Sequence, residues 1–314
     1  MTDRLDLADL PSVPLVSIIV PCYGQAHFLP DAIESALAQT YQSIEVIVID
    51  DGSPDNTASV AGSYLRVRCV RQENRGPAAA RNRGLTESTG ECLVFLDADD
   101  RLHARALELG LGALKGHRGA AFSYGACEFI DAHGNFIHSS TKPIVKGDHY
   151  LRLLEGNFLP NPAAIMFRRE PLEALGGFRN GVDGVEDYEL CLRLTRIYEA
   201  SGYHDVVADY RQHGDSLSRK AAVMSESVLA VLRSQADHVL GNRAYEAALR
   251  RGLRRWRQQY YAELLVARAR ENARAGHWGP VIRDTLALLR ANPKRLLEDV
   301  VRRASRTGSS DKSA

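Results

Sequence analysis

Residues Leu93-Val-Phe-Leu-Asp-Ala-Asp-Asp100 run from four apolar side chains straight into three carboxylates. The apolar part has the composition of a strand buried on both faces, and side chains along a strand alternate sides. By that alternation Asp97 and Asp99, two apart, point the same way at the strand's carboxyl end. Carboxylates held together repel unless a cation lies between them. Hard divalent cations such as Mg²⁺ or Mn²⁺ take oxygen ligands and are often shared with a substrate's phosphates. An isolated Asp-Ala-Asp fits a solvated acidic turn equally well, so the order of elements around it decides.

Upstream, strand and helix signals alternate. Residues 16–20 (Val-Ser-Ile-Ile-Val) form a β-rich run closed by Pro21, and 28–39 place Leu29, Ile33, Ala36 and Leu37 at helical spacing. Residues 45–49 (Glu-Val-Ile-Val-Ile) read as a second strand ending in Asp50 and Asp51, with a helix start at Asp55-Asn-Thr57. Residues 65–71 are a weaker strand, 76–86 a helix opened by Gly-Pro, and 92–96 the fourth strand. Such alternation argues for an α/β class, a mostly parallel central sheet with helices on both faces. Ligands of these sheets bind beyond the carboxyl ends of the strands. Asp50, Asp51, Asp97 and Asp99 all fall at such ends.

The middle of the chain is mixed. Residues 104–114 read as a helix, 120–124 and 127–130 as strands before the turn Asp131-Ala-His-Gly134, and 163–167 as a further strand. Residues 176–184, with four glycines, read as a mobile loop, and 185–197 as a helix. From Ser225 the pattern is helical, with Pro280 and Pro293 as breaks. Residues 307–314 are small and polar, a tail expected to be disordered. The expected division is a body over 1–220, a helical extension over 221–306 and that tail.

No run approaches the roughly 20 apolar residues of a membrane span, and the first residues show no basic-then-apolar leader. Five scattered cysteines without a Cys-x-x-Cys pair suit a reducing compartment. The net charge of +1 hides an asymmetry: residues 250–306 carry 15 Lys/Arg against 5 Asp/Glu, a local +10, which leaves −9 for the rest. Apolar positions (Leu229, Leu232, Leu240, Leu264, Leu265, Leu286, Leu288, Leu289) are interleaved with these arginines. Two readings stand: a helical subdomain with a solvated basic face, or a segment that docks on anionic lipid head groups. No aromatic stacking platform supports a nucleic-acid partner.

Read in order, six blocks resemble the family 2 glycosyltransferases. They are Val16-Ser-Ile-Ile-Val-Pro-Cys-Tyr23, Ser35-Ala-Leu-Ala-Gln-Thr-Tyr41 and Glu45-Val-Ile-Val-Ile-Asp-Asp-Gly-Ser53. Then come Asn74-Arg-Gly-Pro-Ala-Ala-Ala-Arg-Asn-Arg-Gly84, Phe95-Leu-Asp-Ala-Asp-Asp100 and Glu186-Asp-Tyr-Glu-Leu-Cys-Leu-Arg193. The resemblance spans about 200 residues and leaves out the helical C-terminal third. It implies the GT-A fold, with the helical extension appended, and an inverting, metal-dependent transfer of one sugar from a nucleotide-diphosphate sugar, commonly UDP-linked. The cofactor implied is a divalent cation, Mn²⁺ or Mg²⁺. The acceptor implied is a carbohydrate or lipid-linked hydroxyl in surface polysaccharide or glycolipid synthesis, on the cytoplasmic side of the cell membrane.

Carried onto this sequence, the resemblance implies that Pro21 and Tyr23 line the nucleotide pocket and that Asp51 accepts a hydrogen bond from the base. Arg81 would contact the nucleotide or its phosphates. Asp97 would lie near the ribose and Asp99 at the metal, the pair forming the DxD element. Asp187 would be the general base, with Glu186 orienting it or touching the acceptor. His213, in Tyr210-Arg-Gln-His213, would stand near the metal or diphosphate. Gly24 departs from the pattern, since many relatives carry Asn there. Each residue also has a plainer reading: Glu186-Asp187 as favourable charge in a first helical turn, Arg81 as a solvated helix residue, His213 as a packing residue.

Other signals point elsewhere and fail. A sugar nucleotidyltransferase wants a glycine-rich basic loop after the first strand, where this chain has Pro21-Cys-Tyr-Gly-Gln-Ala-His27. A non-catalytic nucleotide-sugar-binding protein is expected to have lost a carboxylate, and Asp97, Asp99 and Asp187 are all present. Gly110-Leu-Gly-Ala-Leu-Lys-Gly116 has the wrong spacing for a dinucleotide loop, no P-loop exists, and the histidines lack zinc-ligand spacing. Trp256, in Leu-Arg-Arg-Trp-Arg, lacks the preceding Gln of processive synthases and reads as a helix core or interface residue.

Overall fold

Every position of Val16–Cys22 (β1) except Pro21 is buried, and the strand sits between two parallel neighbours, Ile44–Asp50 (β2) and Cys92–Phe95 (β4). A computed structural model describes residues 7–139, 144–182, 184–213 and 217–292. Val67–Arg71 (β3) extends the parallel set on the far side of β2. Such strands read as continuous apolar runs because both faces are covered. Helix Leu29–Leu37 (α1) buries Leu29, Ala32, Ile33 and Ala36, one stripe at helical spacing. Thr57–Gly62 (α2) and Pro77–Glu87 (α3) complete the first half.

The remaining strands are Arg101–Leu102 (β5), Ala120–Ile130 (β6), Phe136–Ser139 (β7), Ile165–Arg168 (β8) and Glu199–Arg211 (β9). The sheet order is β3-β2-β1-β4-β8-β6-β9-β5, with β7 paired to β6. Strand β8 runs antiparallel to both β4 and β6, β9 parallel to β6, and β5 antiparallel to β9. The helices here are Ala106–Gly116 (α4), His149–Glu155 (α5), Arg169–Ala174 (α6) and Glu186–Thr195 (α7). Cys22 pairs with Asp50 and Ile19 with Phe95, so the carboxyl ends of β1, β2 and β4 open at one edge.

The chain divides into two compact units, Met1–Gly214 and Asp215–Ala314. The second is helical where described: Leu217–Arg233 (α8), Ala236–Val239 (α9), Arg243–Arg274 (α10) and Trp278–Ala291 (α11). Ala262, Leu265 and Val266 of α10 pack on Leu288 of α11. Among the described residues no helix is long and apolar enough to cross a membrane.

Several expectations change. Residues 120–130 are one strand rather than two, because bulges around Ala126 keep it paired to β9 through the glycine-containing stretch. The long strand β9, 13 residues beginning Glu199-Ala-Ser-Gly-Tyr-His-Asp205, carries too many polar residues to announce itself and is set by its partner. Pro280 does not break a helix: it sits in the first turn of α11, where the absent N–H has no intrahelical partner to lose, and the break comes earlier, at Gly276 (φ 75°). The four-glycine segment is a loop, and its first residues are fastened. Asn82 donates to Phe178 O (2.8 Å) and accepts from Phe178 N (2.8 Å), while Arg193 donates to Leu175 O and Gly177 O. Of the apolar positions in the second unit, Leu229, Leu232, Leu265 and Leu288 are buried, whereas Leu240, Leu286 and Leu289 are exposed. The side chain of Leu264, together with Asp183, Pro293 and the 307–314 tail, lies outside the described residues.

Candidate active site

Strand β4 ends at Phe95, two residues before the first carboxylate, and Asp100 N donates to Asp97 O (3.0 Å) to close a tight turn. The three aspartates are therefore displayed by a turn, not by strand alternation, and each finds a different partner. Asp97 Oδ1 accepts from Arg81 Nη2 (2.8 Å). Asp99 Oδ2 accepts from Gln25 Nε2 (3.2 Å) and meets His213 Nε2 at 3.0 Å. Asp100 is fully buried and accepts from Asn161 Nδ2 (2.6 Å) and Arg211 N (2.8 Å). Burial, then Asp99 and Asp97, push the Asp100 carboxyl well above its usual range against those two hydrogen bonds.

Arg81 joins this turn to a segment ninety residues on. It lies in α3, buried, with Nη1 3.6 Å from Glu186 Oε2 at the start of α7 and its guanidinium 5.7 Å from the Phe178 ring. Burial pulls its pKa down, but Asp97 and Glu186 outweigh that and hold it above the arginine range. Asp187, the next residue of α7, is half-buried. Its pKa is raised by burial, lowered by Arg81 and raised again by Asp97, so it belongs to the same electrostatic cluster. Glu186 is raised chiefly by burial, and Arg81 opposes the shift. Glu186 Oε1 and Arg81 Nε are buried without a hydrogen-bond partner, two unmet polar atoms within the cluster.

Arg211 braces the turn from behind. Its Nε donates to Asp99 O (2.7 Å), Nη1 to Ala132 O (3.2 Å) and Nη2 to Asp31 Oδ2 (2.6 Å), and it lies 4.8 Å over the Phe28 ring. The same ring is 5.3 Å from His213. At the neighbouring strand ends Tyr23 is exposed and Pro21 half-buried. Asp51 is buried and accepts from Gln72 Nε2 (2.7 Å), Arg75 N (3.0 Å) and Gly76 N (2.9 Å). Those bonds use about three of a carboxylate's four acceptor positions, so Asp51 first of all staples the loop leading into α3. Asp50 does similar work, accepting from Ser53 N and Arg71 Nη1.

Asp99 and His213, hydrogen-bonded to each other, could each offer one ligand atom to a divalent cation, a carboxylate oxygen and an imidazole nitrogen. Neighbouring ligands of an octahedral ion with bonds of about 2.1 Å stand about 3 Å apart, which is the separation these two side chains already have. The carboxylates outnumber the guanidinium groups that reach them, the imbalance a cation relieves. A second group, His103, Glu128 and Asp209, has ligand atoms within 4.8 Å of one another. There both Asp209 oxygens are already engaged, by Arg101 Nε and Nη2 (3.0 and 2.8 Å) and by His103 Nε2 (2.8 Å). Burial raises the Asp209 carboxyl, but His103 and Arg101 bring it below its usual value. This is a satisfied ion pair buttressing β5 against β9.

The structure thus gathers Asp97, Arg81, Glu186 and Asp187 in one cluster and Asp99 with His213 beside it. Gln25, Phe28, Asn161 and Arg211 were not singled out from sequence. Arg211 lies two residues before His213 and Gln25 just after the first strand block, but nothing in their spacing marks them, since their partners are long-range.

The Glycosyl transferase family 2 model matches residues 17–176. A Rickettsia felis protein described as an uncharacterized glycosyltransferase is 32% identical over 222 residues, 68% of this chain and 36% of that one. The chain spans about a third of the length of the curated relatives it matches first. Among solved structures, S. aureus TarS aligns with a TM-score of 0.64 and 16% identity over 89% of this chain and 92% of that one. A complex of the same protein with UDP-GlcNAc aligns at 0.61 and 18% identity, over 86% and 90%. A Pyrobaculum calidifontis mannosyltransferase, PcManGT, in complex with GDP-Man and Mn²⁺ aligns at 0.62 and 23% identity, over 96% and 90%. The shared fold is the GT-A type.

Proposed function

Since the chain belongs to glycosyl transferase family 2, we propose that it moves one sugar from a nucleotide-diphosphate sugar, UDP-linked, to an acceptor hydroxyl with inversion at the anomeric carbon. The observation that carries this reading is the Arg81 bridge, 2.8 Å to Asp97 and 3.6 Å to Glu186. It sets a half-buried carboxylate, Asp187, beside the turn that would hold the donor's phosphates. Complexes of structural neighbours with UDP-GlcNAc and with GDP-Man and Mn²⁺ support a nucleotide-sugar donor.

In this reading Pro21 and Tyr23 line the base pocket, and the remaining acceptor position of Asp51 faces the base. Arg81 and Asp97 bind the ribose and phosphates, and Asp99, Asp97 and His213 hold the divalent cation, Mn²⁺ or Mg²⁺. When bound, that cation supplies positive charge to the departing diphosphate without a proton donor. Asp187 takes the proton of the acceptor hydroxyl as its oxygen bonds to the anomeric carbon, while the bond to the diphosphate breaks with its electron pair. A carboxylate held above its ordinary pKa suits that task, being a stronger base than a solvated Asp. Glu186, beside it in the first turn of α7, orients Asp187 or touches the acceptor.

Residues 1–220 would be the catalytic body and 221–306 a basic helical extension. The acceptor would be a carbohydrate or lipid-linked hydroxyl of a cell-envelope polysaccharide or glycolipid, at the inner face of the membrane. The test is Asp187→Asn. It should bind UDP with Mn²⁺ as the parent does, by calorimetry, while transfer and donor hydrolysis across a panel of nucleotide sugars fall about 10²–10⁴-fold. Undiminished turnover removes Asp187 as the base.

A further inference from the structure

Helix α11 leaves an apolar stripe uncovered. Trp278, Ile282, Leu286 and Leu289 are 64%, 60%, 49% and 50% exposed, although Leu288 on the same helix is buried against α10. At 100° per residue the four fall within an arc of about 80°, and Arg290 and Arg283 follow about 40–60° beyond its edge. Both arginines are exposed. The helix has one carboxylate, Asp284, and it is turned inward, buried and paired with Arg268 at 3.1 Å. The outer face of α11 is therefore apolar and cationic with no acidic group.

We infer that this face is a docking surface for an anionic lipid bilayer, with the Trp278–Leu289 stripe in the head-group boundary and Arg283 and Arg290 on lipid phosphates. Charge complementarity selects that occupant. Residues 215–314 carry 20 Lys/Arg and 10 Asp/Glu, a net +10 in a chain of +1. Arg250, Arg254, Arg255 and Arg257 on α10 are exposed as well. A second cationic copy of the same face would meet repulsion, whereas a negative membrane surface attracts it. Stable peripheral binding takes two signals, an apolar insert and a basic patch, and one unit supplies both. A Trp at one end of the stripe is the side chain suited to the membrane–water boundary.

The surface gives a location to the membrane contact of the proposed function, yet its test needs no donor, acceptor or turnover, so either reading can fail alone. The whole chain is floated with vesicles of equal phosphatidylglycerol and phosphatidylcholine, and with phosphatidylcholine alone. The expected result is flotation with the anionic vesicles only, weakening as salt rises. The double variant Ile282→Glu/Leu286→Glu, with an unchanged melting temperature, should bind at least about ten-fold more weakly and hydrolyse donor as the parent does. In a Trp256→Phe background, which leaves Trp278 as the sole tryptophan, bilayer-embedded bromolipids should quench its fluorescence. Absence of flotation, equal binding by the double variant, or no quenching overturns the inference. So does a parent dimer that the double variant converts to monomer, which would give the stripe to a second copy.

Discussion

Asp187 has a pKa raised by burial, lowered by Arg81 and raised by Asp97, so the rate should report its titration. A general base works only when ionised, and activity should fall as pH drops through a midpoint above the ordinary aspartate value of about 3.9. Arg81→Met removes the cation that favours the charged form, and the acid limb of kcat/KM should then move to higher pH. The same variant strands Asp97 and Glu186 and should cost about 3 kcal/mol of stability, read by urea unfolding at neutral pH. That deficit should shrink in acid. Glu186 has a folded-state pKa above its unfolded one, so its protonated form is the one the fold favours, and stability tied to it is lost as pH rises. A limb that stays put in Arg81→Met would break the electrostatic link drawn between the two residues.

At the scale of the element, helix α3 carries Arg81 and is held in place by a glycine. A Cβ on Gly84 would overlap Ile19 Cγ2 of β1. Gly84→Ala should therefore destabilise by about 1–3 kcal/mol despite alanine's better helix propensity, and should weaken nucleotide binding by shifting Arg81. Gly112, in α4, meets nothing within 4 Å. Gly112→Ala should stabilise by about 0.5–1 kcal/mol, read in the same unfolding curves. Opposite signs from one substitution type follow from whether the helix face is against the sheet or open. The periodicity of α1 and α4 and the apolar runs of β1, β2 and β4 were legible in the sequence because burial is written along the chain. Strand β9 was not, because its polar residues are strand-forming only through pairing with β6.

For the whole molecule, a donor nucleotide that bridges to a cation should bind the folded state alone. UDP at about a hundred times its Kd should add about 2.7 kcal/mol, a rise of about 5–10 °C in the melting temperature with Mn²⁺ and much less with EDTA. Equal shifts in the two buffers would exclude metal-bridged phosphate binding. The charge split between the units, −9 and +10 over residues 1–214 and 215–314, also belongs to this scale. It predicts unequal salt responses: vesicle binding through the second unit should fall with ionic strength, while intrinsic folding of the sheet, built on buried apolar residues, should change little.

What the sequence alone determined is what nearest neighbours encode: alternating strands and helices, the order of the six blocks that carry the family resemblance, and the placing of acidic residues at strand ends. Only the tertiary structure decided that the aspartates of residues 97–100 part company in a turn, each to its own partner. It also decided that Arg81 spans from Asp97 to Glu186, and that the α11 stripe is left outside rather than packed. Partners far apart in the chain impose no spacing on it, and an apolar helix face looks the same in sequence whether a core or a solvent boundary lies against it.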